Sequence, residues 1–201
     1  MSLQNRVTPF GELISTPARG TLMGNRGGKF HAANRALTSR RWASRQWISC
    51  VLDFKNRHRD VWGRYYTELF FLDEVTAFAA GHRPCFECRR RDAELFARLF
   101  SGKNKRASAG VMDRALHAER LDDKAKRTCR RSIDRLPDGA MITLDGEAFA
   151  VRGSRLLRWT PSSYSASRAR PRAMKVEVLT PPSIVSVFAQ GYKPIWHPSA
   201  R

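Results

Sequence analysis

The fold is decided by one stretch of the sequence, residues 70–89, which reads FFLDEVTAFAAGHRPCFECR. Its aromatic start is typical of a strand, and Asp73 has the short acceptor side chain that caps the N-terminus of a helix. A short helix is therefore predicted over Glu74–Ala80. Gly81 is predicted to end that helix, because glycine adopts the left-handed conformation of a helix C-terminus without strain. A Cys-x-x-Cys motif follows at once, where a loop enters the next helix.

This Cys-x-x-Cys motif predicts a metal site. Cys85 and Cys88 are spaced so that both thiolates can bind one tetrahedral ion, and Zn²⁺ is the usual occupant. The pair supplies half of a site, and the candidates for the other ligands are His58 and Cys50. Cys50 alternates with apolar residues, so a buried structural cysteine is the other interpretation of that position. If no metal binds, the motif is a redox pair or an inert turn.

Working outward from this motif, the chain alternates strand and helix patterns. Residues 47–54 and 64–72 have the composition of strands and are predicted to pair as a hairpin. Apolar residues recur at helical spacing after Cys88 and again over residues 109–133. Further along are three short strands within residues 140–160 and a helix that begins at a Thr-Pro-Pro sequence and ends near Gly191. The sequence therefore predicts an α+β fold: a small zinc-stapled hairpin-and-helix module, further helices, and a small C-terminal β-meander with a terminal helix.

The predicted organisation has three parts. Residues 1–28 are rich in Pro and Gly and are predicted to form an extended basic arm. Residues 29–136 form the metal-binding and helical domain. Residues 137–201 form a smaller strand-and-helix part that packs on it. Within this last part, residues 162–173 are basic and rich in serine, and we expect them to be mobile.

Charge narrows the choice of partner. The 201 residues include 37 Lys and Arg against 18 Asp and Glu, a formal net charge of +19. So much positive charge repels itself unless an anionic partner neutralises it, and nucleic acid, most simply DNA, is the commonest such partner. A basic solubility bias and a membrane-surface protein are the alternatives, but no apolar run approaches the roughly 20 residues that span a bilayer. Four cysteines with one close pair are typical of a reduced, cytoplasmic protein with a metal site.

The basic residues most suited to contact nucleic acid lie around two segments and the Cys-x-x-Cys motif. Gly24–Lys29 is glycine-rich, so its backbone N–H groups can turn toward a phosphate, although a flexible turn explains it equally well. Trp42 stands among arginines, which suits base stacking and equally suits a core tryptophan with arginines that extend to solvent. The candidate contacts are Arg26, Lys29, Arg40, Arg41, Arg45, Arg83, Arg89, Arg90 and Arg91.

Residues 66–92 resemble the second half of the zinc-binding domain of the Ada DNA-repair proteins. The shared features are a strand, a short capped helix that ends in Ala-Gly, and an Arg-Pro-Cys-x-x-Cys sequence leading into a helix. The resemblance implies that Cys85 and Cys88 are zinc ligands and that nearby basic residues face the DNA backbone. Ada-type domains take two further ligands from an upstream Cys-x-x-x-Cys pair, one of which accepts a methyl group. This chain has no such pair, so the resemblance implies the scaffold but not methyl transfer.

The leading hypothesis is a zinc-stabilised DNA-binding protein that contacts the phosphate backbone, in DNA repair or gene regulation. The alternatives are a metal-dependent nuclease or other DNA-processing enzyme, and an RNA- or ribosome-associated protein. A nuclease needs a histidine base near a hydrolytic metal, for which His31 or His58 with Asp53 or Asp60 has the right chemistry. Three further polar residues share one face of a predicted helix, where they position a phosphate or form a solvated network. They are Asp113, His117 and Arg120.

Overall fold

The computed structural model describes residues 2–57, 60–102 and 105–201. Over those residues the architecture is mixed α+β, with two six-stranded sheets, a two-stranded hairpin and four α-helices. The α+β class predicted from the sequence is confirmed. One predicted metal ligand, His58, lies outside the described residues.

The first sheet is built from the N-terminal part of the chain. Its six strands are β1 (Arg6–Val7), β2 (Leu13–Ile14), β3 (Leu22–Arg26), β4 (Trp47–Cys50), β5 (Leu69–Phe71) and β6 (Arg83–Pro84). They lie in the order β2-β1-β5-β3-β4-β6. β3 pairs antiparallel with both β4 and β5, whereas β4 pairs parallel with β6. This last pairing determines where the cysteines lie.

Four helices connect the two sheets through contacts with the first sheet, with one another and with the second sheet. They are α1 (Glu74–Ala79), α2 (Arg90–Ser101), α3 (Ala109–Arg120) and α4 (Pro182–Ala189). The predicted cap of α1 is confirmed, since Asp73 Oδ1 accepts a hydrogen bond of 2.9 Å from the N–H of Thr76. Gly81 follows α1 with φ +83°, as a helix-ending glycine does. No helix within the described ranges is long and apolar enough to cross a membrane.

The remaining strands form a hairpin and a second sheet. The hairpin pairs β7 (Leu121–Asp122) with β8 (Ala125–Lys126). The second sheet contains β9 (Cys129–Ser132), β10 (Met141–Leu144), β11 (Glu147–Arg152), β12 (Arg155–Trp159), β13 (Tyr164–Ala169) and β14 (Lys175–Val178). It is antiparallel, in the order β13-β12-β11-β10-β14-β9. The predicted C-terminal meander is therefore confirmed as β10–β12, and it continues into β13.

Two buried carboxylates at the start of α1 connect the N-terminal part of the chain to its C-terminal end. Asp73 Oδ2 accepts a hydrogen bond of 2.9 Å from the hydroxyl of Tyr164. Glu74 accepts bonds of 2.9 Å from the hydroxyl of Tyr192 and 2.8 Å from the N–H of Ile195. Burial raises the pKa of both carboxyls, against the lowering effect of these donors. The C-terminal segment is thus hydrogen-bonded onto α1.

Two predictions for the N-terminal half are wrong. Residues 1–28 do not form an extended arm, because β1, β2 and β3 lie within them and are paired in the first sheet. β4 and β5 do not pair as a hairpin, because β3 lies between them. A Cβ atom at Gly24 would lie 2.1 Å from the carbonyl oxygen of Ile48, so this insertion of β3 needs glycine at that position.

Three predictions for the later part of the chain also need correction. The helix predicted over residues 109–133 ends at Arg120, because Asp123 (φ +52°) turns the chain into the β7–β8 hairpin. Residues 162–173 contain β13 rather than only mobile chain. The boundary at residue 136 divides a sheet, because β9 pairs with β14 from the C-terminal part.

Candidate metal centre and its basic surroundings

The parallel pairing of β4 with β6 brings three cysteines together. Ser49 lies opposite Pro84 in this pair, and the N–H of Cys85 donates to the Ser49 carbonyl at 3.0 Å. Cys50, the last residue of β4, is therefore placed beside the Cys-x-x-Cys loop. The turn at Gly81 leads the chain into β6, which runs parallel to β4. A Cβ atom at Gly81 would lie 2.6 Å from Cδ of Arg120. Glycine at position 81 is thus required both for its backbone angle and for this close contact.

The side chains of Cys50, Cys85 and Cys88 form a compact group in which all three sulfur atoms lie within 4.8 Å of one another. Sulfur ligands of a tetrahedral zinc ion lie about 3.8 Å apart, since each Zn–S bond is about 2.3 Å. Cys50 and Cys85 are buried and pack with Met23, while Cys88 is half-buried. Among the described residues this is the group of Cys, His, Asp and Glu side chains whose geometry suits a metal ion. Such a group can hold one.

The three cysteine side chains are hydrogen-bonded to one another, and a bound metal ion would take the place of these hydrogen bonds. Hydrogen bonds from Cys50 and Cys88 lower the pKa of Cys85 to about 2, while the hydrogen bonds to Cys85 and Cys88 raise the pKa of Cys50. The backbone N–H of Glu87 also donates to the Cys85 sulfur at 3.4 Å. These neighbouring donors favour the thiolate form of Cys85. A divalent ion would supply that stabilisation to all three sulfurs and release their protons.

Arg57, the residue before His58, forms an ion pair with the Cys-x-x-Cys loop. Its Nη1 lies 2.7 Å from Oε1 of Glu87, one of the two residues between the cysteines of the motif. His58 as a ligand stays a prediction, since that residue lies outside the described ranges. Cys129 is not part of the group, because it begins β9 in the other sheet.

The structure corrects the roles predicted for two arginines of the motif, Arg83 and Arg89. Arg83 forms a bidentate ion pair with Asp113, with N–O distances of 2.8 and 2.9 Å, and its side chain is 4% exposed. The Arg89 side chain is 2% exposed and pairs with Glu74 at 2.5 Å and with Asp92 at 2.8 Å. Buried guanidiniums with carboxylate partners are not available to a DNA backbone. Their role is to hold α2 and α3 against α1 and β6.

Arg26 is a third predicted contact that the fold buries. It is 1% exposed, and its Nη2 donates to the carbonyl of Gly11 at 2.7 Å. The first half of the glycine-rich segment, Gly24–Arg26, belongs to strand β3, and Gly27 and Gly28 form a turn after it, which agrees with the alternative of a turn at this position. The other predicted contacts are exposed, namely Lys29, Arg40, Arg41, Arg45, Arg90 and Arg91.

The residues considered for a nuclease do not converge within the described chain. His31 is buried, stacks on Trp62 and hydrogen-bonds to Thr67 at 2.8 Å, which accounts for it as a packing residue. Asp60 is exposed and pairs with Arg35, and Asp53 is exposed. No described pair of carboxylates lies beside a histidine in a metal-binding group. The geometry therefore gives the nuclease alternative no support.

The row formed by Asp113, His117 and Arg120 is not a solvated network. Asp113 is taken by Arg83, and Arg120 is 1% exposed, with its Nη2 2.9 Å from Nδ1 of His117. A second inward-facing cation, Lys126, was missed as a functional candidate. No sequence signal marks it, because helical spacing cannot reveal that the β7–β8 hairpin lines the same cavity as Trp47 and Arg120.

The chain matches no protein-family model, no curated protein and no solved structure. The resemblance to the Ada zinc-binding domain therefore stays a prediction that depends on residues 66–92 alone. Function has to be inferred from the chemistry of the chain's own residues.

Proposed function

We propose that this protein is a zinc-stabilised DNA-binding protein that contacts the phosphate backbone. The observation that carries the proposal is the group of three thiols at the β4–β6 junction, on a chain of net charge +19. The thiols supply the metal site, and the charge supplies the attraction to a polyanion. The resemblance of residues 66–92 to an Ada-type domain agrees with both.

Zinc is favoured over other ions by the ligand set. Thiolates are soft ligands, and a three-sulfur site with one further ligand is a common structural zinc site. We propose His58 as that further ligand, because its neighbour Arg57 is paired with Glu87 inside the motif. An imidazole there would complete a Cys₃His set. A site closed by four protein ligands stabilises the fold rather than activating water.

The DNA contacts proposed here are made by exposed arginines. Arg40 and Arg45 lie in the loop before β4, and Arg91 lies in the first turn of α2, close to Cys88 in the chain. None of the three forms an ion pair with a carboxylate of the described chain. Guanidinium groups without internal partners are suited to bind phosphate oxygens in two-point geometry.

Metal content of the purified protein tests the first half of the proposal. We expect about one zinc ion per chain, lost in Cys50→Ser and Cys85→Ser and reduced in His58→Ala. Cys129→Ser is the matched control, because that half-buried thiol lies outside the group. Full zinc occupancy in Cys85→Ser would overturn the metal site.

The salt dependence of binding to duplex DNA tests the second half. Each phosphate contact contributes about −0.9 to the slope of log K against log salt, so a triple Ala variant of Arg40, Arg45 and Arg91 is expected to lose about two to three units of slope. A second triple variant, of the exposed Arg130, Arg131 and Arg135, removes the same charge from the region of β9. Equal losses in both variants would contradict the proposed surface. Tighter binding to RNA than to DNA would favour the RNA alternative.

A further inference from the structure

A second cationic site lies away from the cysteines. It is a cavity of about 650 Å³ between β2, the loop before β4 and the β7–β8 hairpin. Five cationic side chains line it, and one acidic residue, the exposed Glu12, stands at its edge. The cations are Arg26, Arg41, Arg120, Lys124 and Lys126. No cysteine of the metal group lines this cavity, so the two sites are independent.

Two of these cations are stacked on one tryptophan. The guanidinium carbons of Arg26 and Arg120 lie 3.9 and 3.8 Å from the ring centre of Trp47. Trp47 is 2% exposed and both arginines are 1% exposed. Their planes and positions are therefore fixed by packing. Their positive charge is therefore held beside the cavity without reorganisation.

The buried cations have no carboxylate partner among the described residues. Arg26 donates to Gly11, and Arg120 donates to the carbonyl of Gly81 at 2.9 Å and to His117. Lys126 is half-buried as a residue, and its ammonium donates to the carbonyl of the fully buried Ala79. Neutral acceptors satisfy hydrogen bonds but do not compensate charge. Several buried cations with no counter-charge are costly unless an anion joins them.

The pKa values of Arg26, Arg120 and Lys126 are lowered, as expected for buried cations without an ion-pair partner. Burial lowers the pKa of Arg26 to about 9, of Arg120 to about 8 and of Lys126 to about 7. Repulsion from Arg41 adds to the shift of Arg26, and repulsion from Arg26 adds to the shifts of Arg120 and Lys126, while Asp113 acts against the shift of Arg120. By contrast Arg89, which has carboxylate partners, has a raised pKa in spite of burial. The fold therefore holds these three cations close together against their repulsion.

One residue of the cavity lining, Arg120, has an unpartnered donor. Arg120 Nε is buried and has no hydrogen-bond partner, although its other nitrogens do. Buried donors are almost always paired, so an orphan donor on a residue that lines a cavity indicates a missing acceptor. A phosphate oxygen has the charge and the acceptor capacity to fill that place.

We propose that this cavity binds a phosphate monoester, with its organic part against Trp42. Trp42 is half-buried, lines the cavity and also lines an adjoining one of about 290 Å³, together with Arg40, Arg41 and Lys124. An indole beside guanidiniums is suited to stack on a nucleobase. A free mononucleotide and the phosphorylated 5′ end of a strand present the same chemistry here.

Titration of the full-length protein followed by calorimetry tests the proposal, with adenosine 5′-monophosphate, inorganic phosphate and adenosine as ligands. We expect the monophosphate to bind at least about tenfold more tightly than adenosine, because each charged hydrogen bond contributes on that scale. Inorganic phosphate is expected to compete with it. Equal affinity for adenosine and its monophosphate would overturn the proposal.

Variants at the cavity edge avoid disturbing the buried cluster. Lys124→Ala is expected to weaken monophosphate binding by about three- to tenfold. Arg127→Ala is the matched control, because that exposed residue follows the same hairpin but does not line the cavity. Equal losses in the two variants would contradict the assignment of the site, since net charge alone would then explain them.

Two oligonucleotides distinguish the two sources of the phosphate, a free mononucleotide and the 5′ end of a strand. A 5′-phosphorylated strand that binds more tightly than its 5′-hydroxyl twin identifies a strand end. Equal affinity of the two strands, with the monophosphate still bound, identifies a free nucleotide. These results are distinct from backbone binding through Arg40, Arg45 and Arg91, which does not discriminate the two strands.

Discussion

At the scale of single residues, Lys126 has a charge that depends on the fold. Burial lowers its pKa to about 7, repulsion from Arg120 and Arg26 acts in the same direction, and Cys129 acts against them. In the unfolded chain the pKa returns to 10.5. Between these values the unfolded state binds a proton that the native state lacks. The free energy of unfolding is therefore expected to rise with pH from about 7 to about 10.5, by up to about 1.4 kcal/mol per pH unit.

Denaturant unfolding of the wild type and Lys126→Met across that pH range measures this effect. The difference between the two proteins isolates the lysine from other groups that titrate in the same window. Lys124→Met serves as the control, because Lys124 is exposed in the same hairpin and should keep the wild-type slope. Parallel pH profiles for wild type and Lys126→Met would refute the expectation.

The site residues differ in how far the sequence could predict them. Cys85 and Cys88 were predictable, because their spacing is local and is itself the metal-binding signal. Cys50 was ambiguous, since only the β4–β6 pairing decides whether a cysteine on an apolar face meets the motif. Arg83 and Arg89 were predicted wrongly, because nothing local shows that Asp113 and Glu74 neutralise them.

At the scale of elements, α1 depends on a buried ion pair at its start. Glu74 Oε1 lies 2.5 Å from Arg89 Nη2, and both side chains are at most 2% exposed. We expect Glu74→Gln to lower the free energy of unfolding by about 3 kcal/mol, because a buried guanidinium loses its compensating charge. Asp92→Asn is the matched control. It removes a partner of the same Arg89 whose side chain is 40% exposed, and a loss below about 1 kcal/mol is expected.

Equilibrium unfolding in denaturant compares the two variants directly. Similar small losses in both would show that the Tyr192 and Ile195 donors, not the charge of Arg89, make Glu74 important. A double variant with Tyr192→Phe separates these contributions, because coupling is expected between residues that share one carboxylate.

Elements with local signals were predicted well. The cap and end of α1, the apolar face of α2, the start of α4 and the meander all follow from residues within one turn or hairpin of each other. The elements missed depend on distant pairing. β3 enters the first sheet because Gly24 admits the carbonyl of Ile48, and no pattern within β3 identifies that neighbour. The hairpin after α3 was missed because its sequence continues a helical spacing.

At the scale of the whole molecule, the thiol group and the buried carboxylates stabilise different regions. The cysteines connect β4 to β6 and to the start of α2, through bonds such as Cys85 N–H to Ser49 and Arg89 N–H to Cys85, both 3.0 Å. The second sheet instead has its own apolar cluster, which includes Ile142 and Val151. It is joined to the start of α1 by Asp73, which accepts a hydrogen bond from Tyr164 of β13. Loss of a bound metal should therefore destabilise the region of β4, β6 and the start of α2 more than the second sheet.

Hydrogen exchange with and without a strong chelator tests this regional difference. If zinc is bound as proposed, its removal should speed amide exchange in residues 49–51 and 85–89, because the remaining thiols must then hold the loop alone. Residues 141–152 should stay protected, since their hydrogen bonds lie within the second sheet. Cys85→Ser should show the faster pattern before chelator is added and change little afterwards. Equal loss of protection across both regions would show that the metal stabilises the molecule as one cooperative unit, and no change in residues 85–89 would show that the three thiols hold the loop without it.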